Sequence, residues 1–179
     1  MVKIKKVECP ESKIGIKCPF EMKPSRVVIH NAENDMPAKD VITDMHLNGN
    51  TISYHFACDE KEIVQGIDLN RNAFHAGDGK NGNGNREGIA IIICYGKSGG
   101  ERFSKAQKNA AELTAKLLKE NAWGIDKVTK HNDYCGGNCP HRTISEYGWN
   151  YFIKLVKGFM GEAKAETKPK QSKKTEAKE

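Results

Sequence analysis

The chain has 179 residues with a formal charge of +6, enough for one domain with a real core plus a tail. No apolar run is long enough to cross a membrane, and no basic stripe interleaves with aromatics, so membrane insertion and nucleic acid are excluded as modes of action. The charge overstates the folded part because the tail from Lys164 onward is lysine-rich, although a mildly basic domain does suit an anionic polymer.

Residues 1–25, with Pro10, Pro19 and Pro24, read as an irregular lead wrapping the domain surface. The charged opening is not followed by an apolar core, so the protein is expected to be made in a reducing cytoplasm without a signal peptide. There Cys9, Cys18, Cys58 and Cys94 remain free thiols. The apolar run Val27-Val28-Ile29 predicts a buried strand whose carboxyl end delivers His30. Val41, Ile42 and Met45 at helical spacing predict a helix over Ala38–Leu47, stopped by Asn48-Gly49-Asn50, with His46 at its surface or half-buried.

Ile52, Tyr54, Phe56 and Cys58 alternate with Ser53, His55 and Ala57, which predicts a strand with a hairpin partner over 62–67. Alternation sends Tyr54 and His55 to opposite faces, so they cannot share one metal, and His55 becomes a hydrogen-bonded structural residue. The stretch 70–85 is a long glycine- and asparagine-rich loop holding His75, and such loops are usually functional or mobile. Residues 89–95 are apolar on both faces, as in a central strand covered on each side. After Gly99-Gly100 a helix carries Phe103, Ala106, Ala110, Leu113 and Leu117 on one stripe and ends near Trp123-Gly124. Thr143 and Glu146 form a capping box for a last helix with Trp149, Phe152 and Val156 toward the core, and the Lys/Glu-rich residues 161–179 are expected to be disordered. Strands alternating with helices, an antiparallel pair included, predict an α/β or α+β domain, a central mixed sheet covered by helices.

Between the last two helices lies Lys130-His131-Asn132-Asp133-Tyr134-Cys135-Gly136-Gly137-Asn138-Cys139-Pro140-His141-Arg142, which Gly136-Gly137 and Pro140 keep from being a helix interior. His131 and Cys139 are zinc-ligand types, and the glycines let both side chains face one ion. His30 is the best third ligand. Three protein ligands leave a fourth position for water, the mark of a catalytic zinc.

This loop, with Val28-Ile29-His30-Asn31, Ile52-Ser53-Tyr54-His55-Phe56, Asn70-Arg71-Asn72-Ala73-Phe74-His75 and the run from Ile93 to Gly100, resembles the type 2 N-acetylmuramoyl-L-alanine amidases. These are zinc cell-wall amidases of phage endolysins and bacterial autolysins that share a fold with the peptidoglycan recognition proteins. The resemblance implies an amidase domain over 26–160, expected to be monomeric, with zinc on His30, His131 and Cys139. Tyr54 would be catalytic, His75 and Asn31 would meet substrate, and bacterial peptidoglycan would be the partner, reached after release from the cell. Two positions depart from the family pattern: Ile92 stands where close relatives carry a glutamate, and Gly137 where others carry a lysine. Two alternatives therefore stay open, a non-catalytic or weakly active peptidoglycan-binding module and a cytoplasmic amidase recycling muropeptides.

Overall fold

The computed structural model describes residues 3–161. Its strands are β1 (Ile4–Lys6), β2 (Arg26–Asn31), β3 (Phe56–Cys58), β4 (Ile63–Gln65), β5 (Gly88–Ile93) and β6 (Val128–Lys130). They form one sheet in the order β1-β4-β3-β5-β2-β6, antiparallel at β3/β4 and parallel elsewhere, so this is a mixed sheet in an α+β domain. The helices are α1 (Glu11–Lys17), α2 (Ala38–Leu47), α3 (Asn83–Glu87), α4 (Gly100–Glu120), α5 (Asn132–Cys135) and α6 (Trp149–Met160).

β5 lies between β3 and β2, and every one of its residues is buried, as a strand apolar on both faces requires. Helix α2 packs over β3 and β4, where a Cβ on Gly66 would come within 2.8 Å of Ile42, so only glycine leaves room for that helix. Helix α4 packs against β3 and β5 with Phe103, Ala106, Ala110, Leu113 and Leu117 all buried, and α6 packs on α4 through Phe152, Leu155 and Val156.

Four expectations are corrected. The N-terminal lead is not irregular: β1 extends the sheet beside β4, and α1 carries Lys17 into the interior. Its ammonium, on a fully buried residue, donates to Asn48 Oδ1 (2.6 Å) and to the carbonyls of Asn50 (2.6 Å) and Ile52 (3.1 Å), a buried charge satisfied by several acceptors. The strand read from Ile52 begins only at Phe56, because Ile52 makes a lone bridge to Phe74 and is exposed. His46 is buried, at 4% exposure, its Nε2 donating to the Gly66 carbonyl at 2.9 Å. No capping box precedes the last helix. Thr143–Tyr147 is a separate π-helical turn, ended by Gly148 at φ +78°, and Thr143 is bonded instead to Asn31. Residues 162–179, where the tail was expected to be disordered, lie outside the described residues.

Candidate metal centre and active site

The site grows from the carboxyl ends of adjacent parallel strands. Ile29 pairs with Lys130, so the next residues, His30 and His131, emerge side by side, with the His131 amide donating to the Ile29 carbonyl at 3.2 Å. The loop after β6 then makes one helical turn, stopped by Gly136 in the left-handed region at φ +68°, and doubles back until the Asn132 amide donates to the Cys139 carbonyl at 2.8 Å. Asn31 fixes the return: its Oδ1 accepts from the Thr143 amide (2.9 Å) and its Nδ2 donates to Thr143 Oγ1 (3.1 Å). Arg142 donates to the carbonyls of Gly96 (2.7 Å) and Lys97 (2.6 Å).

These ties bring one ligand atom each from His30, His131 and Cys139 within 4.8 Å of one another. Zinc bond lengths would set such atoms about 3.4–3.6 Å apart around a tetrahedral ion, and Cys139 Sγ is already 4.0 Å from His30 Nδ1. The donor chemistry fits as well. The Gly88 carbonyl, 3.3 Å from His75 Nε2, can only accept, so that nitrogen carries the His75 proton and His75 Nδ1 is a lone pair. His30 Nε2, 3.0 Å from it, must then be the donor, which leaves His30 Nδ1 free to bind a cation on the Cys139 side. Burial, with His75 and His131 alongside, holds His30 well below its ordinary range, so it is neutral as a ligand must be. Burial also pushes the Cys139 thiol up to about 11. Burial lowers His131 from its ordinary range, opposed by the nearby Ala76 carbonyl, whereas Asp133 accepts from Lys130 (2.9 Å to its amide).

Over these three side chains opens a cavity of about 400 Å³, lined among others by Asn31, Glu33, Asp44, Ile52, Tyr54 and Ile92. The half-buried Tyr54 ring stands edge-on to His30 at 5.7 Å between centroids, and burial raises its hydroxyl to about 12. His55 points the other way, its Nε2 donating to the Arg71 carbonyl and its Nδ1 accepting from the Ala90 amide, both at 2.9 Å. Ile92 pairs in register with His30 and lines the cavity, so the wall beside that imidazole is apolar. Two residues expected to meet substrate have their polar atoms engaged inside the protein: His75, 6% exposed, bridges His30 and Gly88, and Asn31, 4% exposed, holds Thr143. Glu87, near the start of β5, is bonded to Ser25 (2.7 Å) and Arg26 (2.9 Å) and does not line this cavity. Glu33 was missed by sequence reasoning. It follows His30 by three residues with no periodicity to mark it, and only the fold places it on the wall of this cavity.

Residues 20–142 match the family described as N-acetylmuramoyl-L-alanine amidase. The chain is 50% identical to the N-acetylmuramoyl-L-alanine amidase CwlA of Bacillus subtilis (strain 168), over 83% of this chain and 54% of that protein. It is 47% identical to XlyB of the same organism, over 83% of this chain and 47% of that one. The chain thus spans about half the length of these curated relatives. The solved structure of PlyL superposes with a TM-score of 0.83 at 44% identity, covering 86% of this chain and 96% of that one. With its mixed sheet and its clustered histidines and cysteine, the chain belongs to the type 2 N-acetylmuramoyl-L-alanine amidase family.

Proposed function

We propose that this domain is a zinc-dependent amidase that hydrolyses the bond between N-acetylmuramic acid and the L-alanine of the stem peptide in bacterial peptidoglycan, acting on the cell wall after release. The observation that carries this reading is the convergence of His30, His131 and Cys139 at the floor of a cavity that Tyr54 overhangs. Zinc held by those three residues would acidify a water toward neutral pH and polarise the scissile carbonyl.

The remaining work falls to the chain's own groups. Tyr54, its hydroxyl raised to about 12, keeps its proton at neutral pH and donates a hydrogen bond to the oxygen on which charge develops. Ile92 supplies no carboxylate, so we assign proton transfer to Glu33 on the same cavity wall. Its carboxylate takes a proton from the attacking water as the water oxygen bonds the carbonyl carbon. The carbon–nitrogen bond then breaks and that proton passes to the departing nitrogen, leaving a carboxylic acid and a free amine. Asn31 shapes the wall through Thr143, and His75 acts behind His30.

The test is mass spectrometry of purified peptidoglycan incubated with the zinc-loaded protein. Free stem peptides with a new amino-terminal alanine are expected, and intact muropeptides alone would refute hydrolysis. The apolar Ile92 and the small Gly137 favour a second reading, a module that binds peptidoglycan without cutting it. Under that reading the protein would co-sediment with cell walls and release nothing.

A further inference from the structure

The residues behind the ligands converge on one side chain. Asn85, at 4% exposure, accepts with a single oxygen from two successive amides, His75 N at 2.7 Å and Ala76 N at 2.8 Å. Its Nδ2 donates to the Gly79 carbonyl at 3.0 Å, so one amide clamps both ends of the turn over 75–79. That turn supports both imidazoles. The His75 ring receives the His30 Nε2 proton at 3.0 Å, and the same turn passes beside the His131 ring, where the Ala76 carbonyl favours the protonated imidazole. The contact with His131 is close, since a Cβ on Gly77, which sits at φ +71°, would lie 3.7 Å from His131 Nε2.

We propose that Asn85 is a positioning residue of the metal centre: through the His75–Ala76 segment it sets the ring orientation and the free nitrogen of both histidine ligands. The physical reason is that a metal-ligating imidazole is oriented by the partner of its other nitrogen, and here the His75 ring that accepts from His30 and the turn that packs against His131 stand on backbone fixed by the same side chain. Sequence position hides this link. Asn85 is far along the chain from both ligands, at the helical turn that feeds β5, and it reaches neither ring itself.

The inference rests on the zinc-amidase reading, and its test separates the two. Zinc affinity of the full chain is measured by chelator competition, beside the visible spectrum of the cobalt-substituted protein and the melting temperature of the metal-free form. Asn85→Ala is expected to weaken zinc about 10–100-fold and to shift the cobalt bands, because ligand-supporting partners contribute on that scale. Asn85→Asp, which keeps the acceptor for both amides, is expected to restore most of the affinity. If Asn85→Ala does not fold, Asn85→Ser takes its place, its hydroxyl being too short to serve both amides. A merely structural role would lower the melting temperature and leave the affinity and spectrum of the folded protein unchanged, and that result would overturn the proposal. Failure of the unsubstituted protein to bind zinc would overturn the zinc-amidase reading itself.

Discussion

Substituting the two neighbours Ile91 and Ile92 with glutamate should have opposite consequences. Ile91 is fully buried, in register with Phe56 of β3 and Ile29 of β2, and alternation turns it away from the cavity that Ile92 lines. Ile91→Glu forfeits about 1.5–3 kcal/mol of apolar burial and leaves a buried carboxyl without partners at about 1–3 kcal/mol more. The sum, about 2.5–6 kcal/mol, lowers the melting temperature by roughly 5–25 °C at about 2–4 °C per kcal/mol. Ile92→Glu gives up part of the same burial, but its carboxylate opens into a cavity beside His30, where water and a bound cation offset the charge. Its cost should be about 1–2 kcal/mol, a shift of a few degrees.

Circular dichroism melts of the two variants give the stability comparison, and release of stem peptides by the zinc-loaded proteins gives the activity. Ile92→Glu should raise kcat at least tenfold, toward the range of about 10²–10⁴ that a positioned acid–base group supplies. Glu33→Gln should lower kcat in the unsubstituted protein by about 10²-fold, and by much less once residue 92 carries a carboxylate, since two groups sharing one task are not additive. Equal unfolding by the two glutamates would mean that position 92 is plain core and that this strand register is misread. A folded Ile92→Glu protein with unchanged kcat would mean that a carboxylate there does not reach the reacting atoms.

Four further outcomes follow from the same geometry. Cys135 is exposed and outside the ligand triad, so Cys135→Ser should keep zinc while Cys139→Ser loses it, read by metal analysis; the reverse would show that the wrong thiol was chosen. Because the Cys139 thiol is raised to about 11 and must lose its proton to bind metal, zinc affinity should tighten about tenfold per pH unit above neutrality, and a flat profile in chelator competition would refute this. Burial lowers His55 to about 4 in the folded state against an ordinary 6.5, so its contribution is present above pH 6.5 and lost as pH falls toward 4. The metal-free protein should therefore melt progressively lower across that window. Lys17→Met strips the donor from the carbonyls of Asn50 and Ile52 and from Asn48 Oδ1 on the cavity wall, which should cost about 2–4 kcal/mol and raise KM more than it lowers kcat.

What could be read from the sequence was local in character. The span Ala38–Leu47, the central strand and the stripe on the long helix were legible because periodicity and stop residues act within a few positions. The gathering of His30, His131 and Cys139 was legible from donor types and a family resemblance, and Tyr54 and His55 do point apart although the strand whose alternation predicted it begins only at Phe56. What escaped was set by contacts between distant segments. The capping box failed because Thr143 is drawn to Asn31, 112 residues earlier, and a hydroxyl engaged there cannot close a helix start. The N-terminal lead looked irregular because β1 is only three residues long and exists by pairing with β4, and nothing local marks Lys17 for the carbonyls of the Asn50 turn that surround it. The same logic separates the proposed ligands from their proposed support: a histidine announces its chemistry by its type, whereas Asn85 is an ordinary asparagine in a loop full of them, and only the tertiary fold shows which backbone it holds.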